Sequence, residues 1–354
     1  MTDSPDVVFE ERDGLGLIFL NRPKALNALT TDMLRRMDAK LQEWAGRADI
    51  AAVVAEGAGE RAFSAGGDIR ALYEDGQTGG PLRAEFYRVE YRYNRRLFRF
   101  AKPHLALIDG VTMGGGVGAS VPGSHRVATE RTVVAMPETG IGLFPDVGGS
   151  HLLPRCPGET GLYLALTGAR LGAADCLYLG IATHFVPAAR LDALVDATMD
   201  ALAATSDRSR SGIDAVLAEF ATDPGPPPMA EHRPAIDRCF AADSVEAILA
   251  NLAGEGSVWA AQTEATLRTK SPTSLKIALR QLRAGPGLTF EDCMVMEYRL
   301  SQRCMQGHDF FEGVRAVVID KDNAPRWRPA TLEEVSTAEI EAYFAPLERD
   351  LVFT

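Results

Sequence analysis

Two acidic side chains, Glu138 and Asp146, lie in one loop whose backbone is restricted by prolines and glycines. The loop is MPETGIGLFPDVGGS, residues 136–150, and its apolar side chains include Ile141 and Phe144. An apolar setting raises the pKa of a carboxyl group, and two nearby carboxyl groups push their pKa values apart. One acid could then attack a carbonyl carbon or accept a proton while the other holds a proton. The alternative, which composition alone favours, is a pair of solvated loop acids.

Two glycine-rich loops each lie between a predicted strand and a predicted helix. They are FSAGGD, residues 63–68, and MGGGVG, residues 113–118. The first N–H groups of a helix have no acceptor inside the helix and lie at its positive end. Two such ends that face each other would form a hole for an oxyanion. Ordinary tight turns are the alternative, and neither loop has the phosphate-binding GxxxxGK(S/T) motif or the dinucleotide fingerprint.

The histidine, serine and arginine patterns predict structural roles. The six histidines form neither an HExxH motif nor another metal-binding spacing: His104, His125, His151, His184, His232 and His308. Ser150 stands beside His151, but the GxSxG motif of a serine hydrolase does not occur. The run 86–100 mixes aromatic residues with arginines, which predicts an amphipathic helix whose arginines face solvent. Contact of these arginines with phosphate groups is the alternative.

The elements that would hold the two loops alternate between short strands and short helices. A hairpin is predicted around Asp13-Gly14. A helix with an apolar face from Leu34 to Trp44 follows, with Thr30 or Thr31 as its N-cap. Further strands are predicted at 50–55, 104–108, 126–128, 132–135 and 183–186, and short helices at 117–121, 162–166 and 173–179. This recurrence predicts an α/β fold of stacked strand–strand–helix turns.

Beyond Leu191 the sequence predicts helices almost throughout. Apolar residues recur at helical spacing in three segments: 213–220, 245–252 and 275–282. The segment DPGPPP, residues 223–228, is the clearest linker, because its prolines make it stiff. We therefore predict a core of residues 1–205 and a mainly helical C-terminal region of residues 206–354.

Composition limits the classes of partner and compartment. The chain has 354 residues, of which 46% are hydrophobic and 24% charged, as in ordinary globular proteins. Because 48 acidic residues outnumber 37 basic ones, we expect neither a nucleic-acid partner nor an anionic membrane surface. The five cysteines show no zinc spacing, which favours buried thiols in a reducing compartment. With no signal-peptide pattern at the N-terminus and no membrane span, a cytoplasmic location is expected.

Four segments together resemble the enoyl-CoA hydratase/isomerase, or crotonase, superfamily. They are LNRPKALNAL (20–29), AFSAGGDI (62–69), DGVTMGGGVG (109–118) and MPETGIGLFPDVGGSHLLPR (136–155). The resemblance runs from about Val7 to the end of the chain. A further segment, SPTSLKIALRQL (271–282), extends the resemblance. Within the superfamily, the chain is most similar to the members that hydrolyse 3-hydroxyisobutyryl-CoA. It implies a crotonase-like spiral of ββα turns with a helical C-terminal region that completes the active site.

The resemblance also implies the site residues. The backbone N–H groups of Ser64 and Gly115 would form the oxyanion hole for the thioester oxygen. Glu138 and Asp146 would be the catalytic acids, and together with Glu90 and Gly115 they would bind the substrate. The coenzyme A adenine pocket would be lined by Ala25, Leu26, Ala65, Gly66, Gly67, Asp68 and Ile69.

The implied activity is hydrolysis of 3-hydroxyisobutyryl-CoA to 3-hydroxyisobutyrate and CoA, a step of valine catabolism. Hydratases of the family have a first catalytic glutamate where this chain has Gly118, so two-carboxylate addition of water is disfavoured. An enoyl-CoA hydratase or isomerase of short-chain acyl-CoA remains the alternative, and a binding protein without turnover is a second one. We expect no metal, nicotinamide or flavin cofactor, because CoA arrives with the substrate. The expected partner is a small acyl-CoA, and homo-oligomerisation stays open.

Overall fold

The computed structural model describes residues 5–204 and 210–353 and shows a mixed α/β protein, as predicted. The strands are β1 (Val7–Arg12), β2 (Leu15–Leu20), β3 (Ala52–Gly57), β4 (Ala62–Ser64), β5 (His104–Ile108), β6 (Val111–Met113), β7 (His125–Ala128), β8 (Val133–Ala135) and β9 (His184–Phe185). The helices of the first half are α1 (Thr31–Gly46), α2 (Ile69–Gln77), α3 (Leu82–Phe98), α4 (Gly115–Gly118), α5 (Gly149–Leu152), α6 (Thr160–Thr167) and α7 (Ala173–Tyr178). Those of the second half are α8 (Leu191–Ala204), α9 (Arg210–Phe220), α10 (Met229–Phe240), α11 (Val245–Glu255), α12 (Val258–Leu267), α13 (Pro272–Ala284), α14 (Phe290–Cys304), α15 (His308–Val314) and α16 (Thr337–Phe344).

The chain divides into two compact units, each built from separate segments. Unit 1 comprises Met1–Gly67, Arg92–Val134 and Arg170–Pro227, and unit 2 comprises Asp68–Tyr91, Ala135–Ala169 and Pro228–Thr354. The last change of unit falls inside the predicted linker 223–228. The predicted boundary near residue 205 falls on residues 205–209, which lie outside the described part of the chain.

Unit 1 is built on a six-stranded sheet of order β1-β2-β3-β5-β7-β9. β1 and β2 form the predicted antiparallel hairpin, and its turn residues Asp13 and Gly14 have the positive φ values of 47° and 87° that such a turn requires. The other neighbours in this sheet pair in parallel. β4, β6 and β8 form a separate three-stranded sheet, so from β3 to β9 successive strands alternate between two sheets. This alternation confirms the predicted strand–strand–helix recurrence.

The core of unit 1 lies between the large sheet and α8 and α9, where buried aliphatic side chains form one cluster. α1 begins after its N-cap Thr30, whose side chain accepts a hydrogen bond from the N–H of Met33. Its predicted apolar face, from Leu34 to Trp44, is buried. The burial of this face confirms the helix that the spacing predicts.

Unit 2 is mostly helical, and α13 lies near its centre. α13 packs on α5, α6 and α16, and α14 packs on α5 and α16. The loop that precedes α5 is therefore held between two long helices of the same unit. Among the helices of the described residues, none combines the length and the apolar character needed to cross a membrane.

The arginines of α3 confirm one part of a prediction and correct another. The helix forms as predicted and Arg92 and Arg99 are exposed, but Arg88 and Arg96 are partly buried and contact other side chains. Arg88 donates to the Tyr298 hydroxyl at 2.6 Å, and Arg96 donates to the two carboxylate oxygens of Asp38 at 2.5 and 3.1 Å. The amphipathic pattern could not reveal these partners, because they lie 210 and 58 residues away in the chain.

Candidate active site

Two backbone N–H groups predicted to bind an oxyanion lie on neighbouring loops of unit 1. Ser64 ends β4, and Gly115 begins α4 immediately after β6, which pairs with β4 in parallel. A Cβ atom added to Gly66 would lie 3.2 Å from the Gly115 nitrogen, and one added to Gly116 would overlap the Ser64 carbonyl oxygen. Only glycine allows this approach of the two loops. As the first residue of its helix, Gly115 has an N–H without an acceptor inside the helix.

Asn27 holds β4 in place through hydrogen bonds to Ala62 and Ser64. This residue was not predicted as part of the site. The Ser64 hydroxyl donates to the Asn27 carbonyl at 2.9 Å and accepts from the Gly66 N–H at 3.2 Å. Asn27 is fully buried with φ 54°, and its Nδ2 donates to the carbonyls of Ala58 and Ala62 at 3.1 and 2.8 Å. Asparagine tolerates this left-handed conformation better than most residues. The sequence offered one signal that Asn27 matters: the residue lies inside LNRPKALNAL, one of the segments that carry the family resemblance.

Five of the residues predicted to line a CoA pocket are neighbours in unit 1: Ala25, Leu26, Ala65, Gly66 and Gly67. The Ala65 N–H donates to the Leu26 carbonyl at 2.9 Å, and the Leu29 N–H donates to the Gly66 carbonyl at 2.8 Å. The two segments therefore run side by side. Their role in CoA binding stays a prediction.

The remaining two pocket residues, Asp68 and Ile69, belong to unit 2, where they start α2. The Asp68 carboxylate accepts from the Ala71 N–H at 3.2 Å and caps the helix. An acidic N-cap stabilises a helix by satisfying a free N–H and by facing the positive end of the dipole. Asp68 therefore has a structural role, and CoA binding by either residue stays a prediction.

Glu138 and Asp146 lie in unit 2, and both are buried rather than solvated. They are 5% and 8% exposed. Glu138 begins a short 3-10 turn that ends at Gly142 in the left-handed conformation. Within the described residues, its Oε2 atom has no hydrogen-bond partner, whereas Oδ2 of Asp146 accepts from the Tyr91 hydroxyl at 2.8 Å. The buried setting predicted for the pair is confirmed, and Tyr91 is a partner that the sequence analysis missed.

Glu90 joins these acids in unit 2. It is 2% exposed, and its Oε1 has no hydrogen-bond partner among the described residues. Burial, followed by the charge of Asp146, raises the pKa values of Glu90 and Glu138 well above the ordinary value. Burial raises the pKa of Asp146 to about 7, against the hydrogen bond from Tyr91. At neutral pH, a cluster of acids with raised pKa values keeps protons on some of its members, while another member can act as a base.

A fourth buried acid, Glu297 on α14, supports the loop that contains Asp146. It is fully buried, and its two oxygens accept from the N–H groups of Gly148 and Ser150, both at 2.9 Å. Burial raises the pKa of Glu297 to about 8, while the hydrogen bonds from Ser150 and Gly148 oppose the rise. Glu297 was not predicted as a functional residue. The sequence offered one signal for it, an acidic residue on the apolar face of α14, four residues after Cys293.

Two of the six histidines, His104 and His125, are buried where they begin β5 and β7 of the large sheet. His125 is hydrogen-bonded to the Ser124 hydroxyl and to Asp214, both at 2.8 Å. Burial lowers the pKa of His104 to about 4, so it is neutral at physiological pH. Across residues 5–204 and 210–353, no three His, Cys, Asp or Glu side chains are grouped to hold a metal ion.

Comparison with known proteins identifies the family. Residues 15–344 match the family described as enoyl-CoA hydratase/isomerase. The chain belongs to the enoyl-CoA hydratase/isomerase family. A family relative from Danio rerio, "3-hydroxyisobutyryl-CoA hydrolase, mitochondrial", is 48% identical over 348 residues, which are 98% of this chain and 91% of the relative. The predicted resemblance is confirmed.

Solved structures of the enoyl-CoA hydratase/isomerase family share the fold. A carnitinyl-CoA dehydratase from Mycobacterium thermoresistibile has a TM-score of 0.92 and 41% identity, and covers 99% of both chains. An enoyl-CoA hydratase from Rhodobacter sphaeroides 2.4.1 has a TM-score of 0.89 and 39% identity, over 99% of this chain and 100% of the other. The predicted crotonase-like fold is confirmed.

The predicted cytoplasmic location is wrong. The family relatives from Danio rerio, Rattus norvegicus and Homo sapiens are all named as mitochondrial enzymes. The prediction depended on buried thiols and on the absence of a signal-peptide pattern. The five cysteines are indeed buried and none of them forms a disulfide, but reduced thiols do not distinguish between these compartments.

Proposed function

We propose that the protein hydrolyses 3-hydroxyisobutyryl-CoA to 3-hydroxyisobutyrate and free CoA. The observation that carries this proposal is the buried acid pair of unit 2, in which Oε2 of Glu138 has no hydrogen-bond partner among residues 5–204 and 210–353 and Asp146 is held by Tyr91. A carboxyl oxygen without a partner in a buried setting is costly unless a substrate or water binds it. The name of the 48% identical relative supports the choice of substrate.

The thioester carbonyl oxygen accepts hydrogen bonds from the N–H groups of Ser64 and Gly115. Negative charge develops on this oxygen when the carbonyl carbon is attacked, and fixed backbone donors stabilise it. Supporting this role, the two loops approach so closely in unit 1 that position 116 accepts only glycine. Glu90 binds the 3-hydroxyl group of the acyl chain through its buried Oε1, which has no hydrogen-bond partner in the described part of the chain.

The ionised form of Glu138, which its raised pKa disfavours, begins the chemical step in one of two ways. As a nucleophile, it forms an acyl anhydride that water then hydrolyses; as a base, it removes a proton from the water that attacks directly. The carbon–sulfur bond breaks in either case, and the CoA thiolate takes a proton. Asp146 supplies that proton or orients the water. CoA enters and leaves as part of the substrate and product.

A hydratase or isomerase is the second candidate function, because the two solved structures described above are named as a dehydratase and a hydratase. Position 118 disfavours it. Gly118 has no side chain to move a proton, and its carbonyl is occupied by a hydrogen bond from the Asn94 amide at 2.9 Å. Two-carboxylate addition of water would need an acid at that position.

Release of free thiol separates the candidates. Purified protein is mixed with 3-hydroxyisobutyryl-CoA, 3-hydroxypropionyl-CoA or crotonyl-CoA, and CoA–SH is followed with a thiol reagent. We expect rapid thiol release from the 3-hydroxyacyl thioesters, fastest for the branched one. Thiol release from none of them, together with loss of the crotonyl double bond, would overturn the proposal in favour of a hydratase.

Replacing Gly116 with alanine should damage the oxyanion hole. The new Cβ overlaps the Ser64 carbonyl oxygen, so β4 and α4 must move apart. We expect a loss of about 3 kcal/mol in the free energy of unfolding and a fall of about 10²-fold in kcat. Urea denaturation and thiol release measure the two effects. The control is Gly254→Ala, where a Cβ meets nothing within 4 Å; equal behaviour of the two variants would contradict the assigned close approach.

A further inference from the structure

The loop that carries Asp146 is backbone-strained and needs external support. Val147, the next residue, has φ 52°, and Gly148 has φ 94°. The left-handed conformation is unfavourable for a β-branched residue, which persists there only when its surroundings hold it. Within the loop, the Gly149 N–H donates to the Asp146 carbonyl at 2.7 Å, which closes a tight turn. The direction of the Asp146 side chain therefore depends on what fixes this turn.

Two buried side chains from long helices fix the turn. Glu297 on α14 binds the N–H groups of Gly148 and Ser150, one with each carboxylate oxygen. Gln281 on α13 donates to the carbonyl of Pro145 and to the Ser150 hydroxyl. The chain is therefore held by hydrogen bonds both before and after Asp146–Val147. Of the two side chains, Glu297 alone accepts hydrogen bonds from backbone N–H groups that follow the strained residue Val147.

We propose that Glu297 is a positioning residue that holds Asp146 in its working orientation by binding the N–H groups of Gly148 and Ser150. This inference rests on the proposed hydrolase function, in which Asp146 acts on the leaving sulfur or on the attacking water. A carboxyl group is suited to the task, because each of its two oxygens can accept a hydrogen bond. Glu297 therefore binds two N–H groups at once, one with each oxygen.

Glu297 also contributes charge to the acids of unit 2. The titratable groups around it come from the Asp146 loop, the Glu138 turn, α3 and its own helix: Asp146, Glu138, Glu90, Tyr91 and Cys293. His151 on α5 packs on Phe290, which lies about two helical turns before Glu297 on α14. Above its pKa of about 8, ionised Glu297 adds to burial and to Asp146 in raising the pKa values of Glu138 and Glu90. Removal of this charge should therefore move the titration of these acids above about pH 8, which a purely structural residue would not do.

The Glu297→Gln variant tests the inference. Its amide keeps one acceptor but turns an NH2 group towards an N–H group, so half of the interaction is lost. We expect kcat for 3-hydroxyisobutyryl-CoA to fall about 30-fold with KM changed less than threefold. We also expect the part of the kcat profile above about pH 8, where Glu297 is ionised, to move to lower pH. Hydrogen–deuterium exchange of the peptide containing residues 146–150 should become faster in the variant, whether or not the enzyme turns over this substrate.

Controls make each outcome decisive. Glu291→Gln removes an acid from the same helix outside the Asp146 loop, and should leave kcat, the pH profile and exchange unchanged. If Glu297→Gln does not fold, Glu297→Asp keeps the ionisable acid but shortens the reach, and should lower kcat without moving the profile above about pH 8. Faster exchange with unchanged kcat and pH profile would overturn the positioning role. Thiol release absent in the wild type would instead overturn the proposed function, and the exchange result would stand separately.

Discussion

The Glu138→Gln variant is expected to lose about 10³-fold in kcat for 3-hydroxyisobutyryl-CoA, the largest effect of any single substitution considered. The amide has nearly the same shape as the acid but can neither attack the thioester carbon nor accept a proton from water. Because Glu138 is buried with a raised pKa, replacing it with a neutral amide should not destabilise the fold. Thiol release measured with substrate at saturation gives the change in kcat.

A matched substitution separates this loss from a general effect of removing an acid. Glu159 in unit 2 pairs with Arg283 at 2.8 Å near the surface, and Glu159→Gln should retain wild-type kcat. Circular dichroism and urea denaturation show whether both variants are folded. A folded Glu138→Gln variant with more than a tenth of the wild-type kcat would remove Glu138 from the mechanism.

The Asp146→Asn variant should lose about 10²-fold in kcat, less than Glu138→Gln, because a thiolate leaves without full protonation. The asparagine oxygen can still accept the hydrogen bond from Tyr91, so the loop should keep its conformation. If Asp146 donates the proton, kcat of the wild type falls at alkaline pH as this acid ionises. The variant should lack that alkaline fall, which a profile of kcat from pH 5 to pH 9 measures.

Stability provides an independent test of the buried state of Asp146. Its pKa is 3.8 in an unperturbed chain and about 7 in the folded protein, so the folded state binds this proton more tightly. The contribution of Asp146 to the free energy of unfolding is therefore largest below about pH 4 and is lost as pH rises towards 7. The Asp146→Asn variant should show a weaker decline over this range in urea denaturation. Equal declines in variant and wild type would contradict the raised pKa.

Local patterns in the sequence predicted the elements that depend on local contacts. The hairpin at Asp13-Gly14 and the apolar face of α1 were predicted correctly, because turn conformation and helical spacing are encoded within a few residues. β4 and β6, which have three residues each and lead into the glycine-rich loops, were not predicted as strands. Each unit is built from three separate segments of the chain. A single domain boundary predicted from the sequence cannot describe such a division.

The candidate site was predicted from types of residue and from family resemblance, while its supports were missed. The sequence singled out Glu138 and Asp146 through their place in a loop restricted by prolines and glycines. It did not identify Tyr91 or Glu297, because these contact the loop from positions 55 and about 150 residues away in the chain. Asn27 was missed for the same reason, since its bonds to Ala58 and Ala62 span more than 30 residues.

Product analysis of 3-hydroxyisobutyryl-CoA itself tests the hydrolase assignment most directly. This thioester offers the protein two outcomes: hydrolysis gives 3-hydroxyisobutyrate and CoA, and loss of water gives the unsaturated methacrylyl-CoA. Mass spectrometry of the mixture after incubation with catalytic amounts of protein distinguishes them. We predict the hydroxy acid and free CoA in equal amounts. Accumulation of methacrylyl-CoA without free CoA would contradict the assignment.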